Sequence, residues 1–233
     1  MSKGGTDNGN QADYWSRPKF QELVKGGWDI IVVCMGTNDA KTVATGAEAD
    51  NWPGGLRTKP VDAESAEDVF RTQLCQSTPT FVSSYLDFLA FARTLGNARN
   101  GSEPAIFVCI PPPALSDGAF GVSQSVVNSV LPKLMPLIAK GAGISQTRVV
   151  DLFGALGGRE MAMVPSGGYA LGGDAVGHGD GNDDVGPRRF FCDAEWNDNL
   201  HPCDAGFAAI AEAVGAAIKR DSTANDSSAC LLQ

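Results

Sequence analysis

Asp198-Asn199-Leu200-His201-Pro202 sets a carboxylate three residues before an imidazole. In one tight loop, that carboxylate can take the proton on one ring nitrogen. This fixes the tautomer and leaves the other nitrogen free as a base. A plain surface turn is the other reading of the same spacing. The chain has two histidines, and the second, His178, lies in a glycine-rich stretch. One imidazole among scattered carboxylates has no metal-ligand spacing, so no metal is expected. Far upstream, Gly36-Thr37-Asn38-Asp39 ends an apolar run with small and short polar groups. In an open parallel sheet, a ligand crevice opens beyond the carboxyl end of a strand. The same four residues also fit a bare turn in which Asn38 and Asp39 cap the next segment.

The elements that must position these residues follow from patterning. Ile30–Val33 is four branched apolar residues in a row, which predicts a strand covered on both faces. Ala105–Ile110, stopped by Pro111-Pro112-Pro113, predicts a second buried strand, and Arg148–Phe153 a third. Arg17-Pro18 to Lys25 predicts a short helix that Gly26-Gly27 ends. Thr78-Pro79 is a cap-plus-proline start for a helix to about Leu95. Its Phe81, Tyr85, Phe88, Leu89 and Ala92 make one apolar face. Ser123–Lys140 carries a helical stripe through Val127, Val130, Leu131, Leu134 and Ile138, with Pro132 and Pro136 expected to break or kink it. Asp204 is expected to cap a last helix whose face is Phe207, Ile210, Ala211, Val214 and Ile218.

Residues 1–16 read as irregular. Residues 40–77 read as a long loop with one helical turn near Ala63–Phe70. Gly154–Arg189 reads as a flexible glycine-rich loop; its Asp180, Asn182 and Asp184 do not complete a calcium loop, since Phe191 stands where the closing Glu belongs. After Arg220 the polar composition reads as a disordered tail. The organisation expected is one domain over residues 1–220 and a tail over 221–233.

At 233 residues, the chain can form one α/β domain burying about 70–75 % of its unfolded surface. A hydrophobic content of 43 % and a charged content of 19 % are those of a globular chain. A net charge of −9 without a basic run argues against nucleic acid and anionic membrane as partners. No stretch approaches the ~18 apolar residues of a membrane span. A flavodoxin-like cofactor domain is disfavoured, because no glycine-rich phosphate loop follows a strand, and no cofactor is expected.

GTND after an early apolar strand, with DxxHP just before the final helix, resembles the SGNH/GDSL hydrolase family. The resemblance runs through GWDIIVVCMGTNDAK, AIFVCIPPPALSDGAFGVSQSVVNSVLPKL, VVDLFGALGG and FCDAEWNDNLHPCDAGFAAIA, roughly residues 14–218. It is greatest to carbohydrate-esterase-type members, such as sialate O-acetylesterase-like and acetylxylan-esterase-like proteins. It implies a three-layer α/β/α fold with a mostly parallel, flavodoxin-like sheet. It also implies hydrolysis of an ester, with an O-acetylated carbohydrate or other small-molecule ester as substrate.

Position by position, the resemblance makes Asn38 an oxyanion-hole donor, His201 the general base and Asp198 the carboxylate that orients it; Asp39 would be structural. The family's nucleophilic serine sits in a GDS turn after the first strand, and this chain contains neither GDS nor GxSxG. Ser116, after the second strand and its prolines, is a remote substitute with no motif around it. The expectation is therefore a chain lacking the family's first strand and nucleophile. The edge of Ile30–Val33 would then lie open. The alternative is an inactive binding module on the same fold.

Of the six cysteines, Cys34 and Cys109 lie in strands and read as buried, inert side chains. Cys192 and Cys203 bracket the DxxH loop and would staple it in an oxidising compartment. The terminal Cys230-Leu231-Leu232-Gln233 fits a prenylation box without the usual second basic signal. Two glycosylation sequons, at Asn100 and Asn225, matter only for a secreted chain. The sequence leaves the compartment open.

Overall fold

The computed structural model describes residues 6–7, 10–11, 18–40, 66–77, 79–96, 101–117, 121–163, 169–171, 187–192 and 199–230. Two-residue strands β1 (Thr6–Asp7) and β2 (Asn10–Gln11) form a minimal antiparallel hairpin in a region expected to be irregular. The chain then runs through α1 (Phe20–Val24), β3 (Ile30–Val33), α2 (Ala66–Leu74), α3 (Phe81–Arg93), β4 (Ala105–Ile110), α4 (Leu131–Gly141), β5 (Val149–Asp151) and α5 (Leu152–Ala155). A second hairpin, β6 (Met161–Met163) and β7 (Tyr169–Leu171), precedes the long α6 (Asp204–Cys230). Strands β3, β4 and β5 make a parallel sheet in that order, with Val33 opposite Val108 and Val108 opposite Val149. The expected mixed α/β architecture with a parallel sheet is therefore present.

Alternation along the strands builds two cores. Ile31, Val33, Ile106, Val108, Ile110 and Val149 face α3 and α4. Phe107, Cys109 and Val150 face the other way, where Ala217 of α6 packs against them. On α3, Phe81, Tyr85, Phe88, Leu89 and Ala92 are all buried, as their spacing requires. Its cap is Thr80 rather than Thr78-Pro79: the Thr80 side chain accepts from the Ser83 N–H, and Ser83 Oγ accepts from the Thr80 N–H at 2.8 Å.

The α4 stripe is buried as expected, but neither proline breaks the helix. Pro132 comes just after a π-helical stretch, Val126–Val130, where the wider backbone turn accommodates its missing N–H. Pro136 lies inside the helix.

Four expectations are corrected. The segment expected to hold one helical turn is the nine-residue α2, which lies on α3 and α4. Part of the expected glycine-rich loop is ordered as α5 and the β6–β7 hairpin. The face of α6 is met in part: Ile210, Val214 and Ile218 pack on the second core, but Phe207 is 60 % exposed and Ala211 is exposed, whereas Gly206, Ala217 and Asp221 are buried. A side chain at Gly206 would collide with the Phe190 carbonyl and with Pro202 Cβ, so α6 needs a glycine where it meets that segment. And α6 continues past Arg220, because Asp221 is held by Arg148 Nε at 2.8 Å and by Thr147 Oγ1 at 3.2 Å.

The largest correction concerns β3. It is not covered on both faces: Ile31 and Val33 are buried, but Ile30 is 42 % and Val32 40 % exposed. Helix α6 packs over β5. Strand β3 is the sheet's edge among the described residues, and Cys34 at its end is exposed.

Candidate functional site

The Asn38 turn leaves the carboxyl end of β3. Gly36 is buried at φ 127°, a backbone conformation that residues with a side chain rarely adopt, so glycine makes this turn possible. Thr37–Ala40 then form one 3₁₀ turn closed by Asp39 N–H to Gly36 O at 3.0 Å. Asp39 is buried and Asn38 exposed, which divides the pair into an inward and an outward group.

The loop after β4 is clamped by two buried amides. Asn128 Oδ1 accepts from the Ala114 N–H at 2.9 Å, and Asn128 Nδ2 donates to the Ala114 carbonyl at 2.9 Å. Gln124 Nε2 donates to the same carbonyl at 3.1 Å. The Gln124 N–H donates to Asp117 Oδ1 at 2.9 Å, closing a ring around half-buried Ser116. Buried amides persist where their hydrogen bonds are made, and these bonds fix the main chain beside Ser116. The sequence analysis missed Gln124 and Asn128. Their signal was two amides four residues apart beside an apolar helical stripe.

The loop before α6 is held on both sides. Phe191 pairs antiparallel with Pro202; the Cys192 N–H donates to the His201 carbonyl at 3.0 Å, and the Cys203 N–H to the Phe190 carbonyl at 2.9 Å. Leu200 anchors the loop in the α3–α4 core, while the side chain of His201 is exposed. Asp198 lies outside the described residues, as does His178, so the Asp198–His201 pairing is not described. The Cys192 and Cys203 thiols are each directed to a main-chain carbonyl: Pro202 O at 3.4 Å and Arg189 O at 3.3 Å.

Two main-chain bonds and one to a side chain gather these loops. The Leu115 N–H donates to the Asn199 carbonyl at 2.9 Å, joining the Ser116 loop to the segment that carries His201. The Ser123 N–H donates to the Ala40 carbonyl at 2.9 Å, joining the Asn38 turn to the start of the clamp. The Gln124–Asp117 bond completes the chain. The turns bearing Asn38, Ser116 and His201 are thus linked beyond the carboxyl ends of β3 and β4. Among the described residues, no group of three His, Cys, Asp or Glu side chains is arranged to hold a metal ion.

No protein-family model, curated protein or solved structure matches this chain.

Proposed function

We propose that this chain carries the base and oxyanion half of an SGNH-type ester-hydrolase site acting on small-molecule or carbohydrate esters, O-acetyl groups first among them. His201 is the base, Asp198 its orienting carboxylate, and Asn38 the side-chain donor to the oxyanion. The finer fold in this reading is the flavodoxin-like SGNH arrangement. One observation supports it most: the Leu115–Asn199 bond, which ties the His201 segment to the loop leaving β4, at the sheet end where the Asn38 turn also lies. In the reaction, a nucleophile's proton passes to the imidazole while the Asn38 amide donates to the carbonyl oxygen as it gains charge.

The chain has no GDS serine, so the nucleophile is the open part of the site. Small alcohols can supply one. With p-nitrophenyl acetate alone, turnover is expected to equal that of His201→Ala. With added methanol, the wild-type chain is expected to transfer the acetyl group to methanol with release of p-nitrophenolate. His201→Ala and Asn38→Ala are both expected to lose that transfer, Asn38→Ala by about 10²–10³-fold. Equal rates for all three proteins in methanol would overturn the reading. Turnover without methanol that vanishes in Ser116→Ala would make Ser116 the nucleophile.

A second reading is a binding module that keeps the fold without the chemistry, favoured by the missing motif serine. It predicts binding of an acetylated carbohydrate with no transfer under any condition.

A further inference from the structure

The register sets Val33, the last residue of β3, opposite Val108 of β4, and continuing it one residue past the strand brings Cys34 beside Cys109. Both belong to the face turned away from α3 and α4, yet their surroundings differ. Cys109 is fully buried among Phe107, Leu152 and Leu156, whereas Cys34, on the edge strand, is exposed. Neighbouring strands run about 4.8 Å apart, inside the Cα separation of about 4.4–6.8 Å that a disulfide bridges.

A hydrogen bond from the neighbouring Cys109 thiol holds the Cys34 pKa below the ordinary thiol value. The same bond and burial push Cys109 up, so the buried partner keeps its proton. An accessible sulfur with enhanced thiolate character, beside a second sulfur, is the arrangement of a reactive cysteine with its resolving thiol.

We propose that Cys34 and Cys109 form an oxidative modification site whose substrate is a hydroperoxide and whose product is a cross-strand disulfide. The Cys34 thiolate attacks the peroxide, an S–O bond forms as the O–O bond breaks, and the departing oxygen takes up a proton. The Cys109 sulfur then attacks the resulting sulfenic acid. The S–S bond forms, the S–O bond breaks, and the Cys109 proton leaves with that oxygen as water. Two thiols lose two electrons and two protons, and hydrogen peroxide becomes two waters. The bridge would staple the end of β3 to β4 immediately before the Asn38 turn. Nothing in this step depends on ester chemistry.

The test is a peptide map of the full chain after brief exposure to hydrogen peroxide below one equivalent, with free thiols then blocked by N-ethylmaleimide. The expected result is a linked Cys34–Cys109 peptide that dithiothreitol separates, formed several-fold faster than any oxidation at Cys75, the exposed reference thiol. In Cys109→Ala, checked for folding by circular dichroism, Cys34 is expected to persist as a sulfenic acid that dimedone captures. The wild-type map decides the matter even if that variant fails to fold. Oxidation of Cys75 as fast as Cys34, conversion of wild-type Cys34 to sulfinic acid without a linked peptide, or a Cys192–Cys203 link in its place would each overturn the proposal.

Discussion

The main-chain N–H of Leu115 donates to the carbonyl of Asn199 at 2.9 Å, joining the loop that leaves the central strand to the loop that enters the last helix. Leu115 follows Ala114, whose own N–H and carbonyl are both held by Asn128. One buried amide therefore sets the height at which the His201 segment docks.

Asn128→Ala leaves a buried N–H and a buried carbonyl of Ala114 short of partners, although Gln124 still reaches the carbonyl. A loss of about 2–4 kcal/mol is expected, since an unmet buried group costs about 1–3 kcal/mol. Urea unfolding measures it. Gln124→Ala should cost less, because Asn128 still serves Ala114. Equal losses would mean the clamp is not centred on Asn128.

Tyr85 behaves in the opposite sense. Its hydroxyl is fully buried and completes no hydrogen bond among the described residues, although the Met35 main chain faces it. Burial pushes its pKa well above 10.0, with Cys34, Cys109 and Asp39 adding to the shift and the Met35 backbone opposing it. Tyr85→Phe removes the unmet group and keeps the ring that meets Phe81 edge-on at 5.6 Å. A gain of about 1 kcal/mol at neutral pH is expected. A folded pKa raised above the unfolded one contributes stability that is complete below the unfolded value and lost as pH rises above it. Above about pH 10 the wild type should therefore lose up to about 1.4 kcal/mol per pH unit relative to Tyr85→Phe. Thermal melts of both proteins from pH 8 to 11 check the sign.

Arg148 and Asp221 pin the second half of α6 to the sheet. The pair is partly buried, with side-chain exposures of 28 % and 10 %, at 2.8 Å. Asp221→Ala is expected to cost about 1–3 kcal/mol. It should also raise amide hydrogen exchange in residues 219–224 more than near Asp204. Unchanged exchange there would show that the helix end needs no anchor.

The two sides of β3 should respond unequally. Val33→Ala opens space in a packed core and is expected to cost about 1–3 kcal/mol, whereas Val32→Thr, on the exposed side, should stay within about 0.5 kcal/mol. An uncharged strand edge is also a template for pairing between chains. Light scattering at rising concentration is therefore expected to be lower for Ile30→Lys than for wild type.

Local periodicity was enough to locate the three sheet strands and the buried faces of α3 and α4. Residues such as Phe81, Tyr85 and Phe88, or Val127, Leu131 and Leu134, have spacings that only one helix face satisfies. The same reading located the turn of Asn38 and the loop of His201, because short polar groups at the end of an apolar run have nowhere else to go. Coverage, by contrast, depends on elements distant in sequence. Ile30 and Val32 look like core residues in the sequence, yet they are exposed because β3 is the edge strand and α6 packs over β5. Cys34 and Cys109 look alike in sequence, but one is exposed and the other fully buried for the same reason. The phase of α6 came from the close approach of Gly206 to Phe190, and its length from Arg148 holding Asp221. No periodicity along one segment encodes such a contact, since it exists only once another segment has docked. The Asn128 clamp has the same origin: the sequence shows an amide beside an apolar stripe, and only the fold supplies the Ala114 backbone that it satisfies.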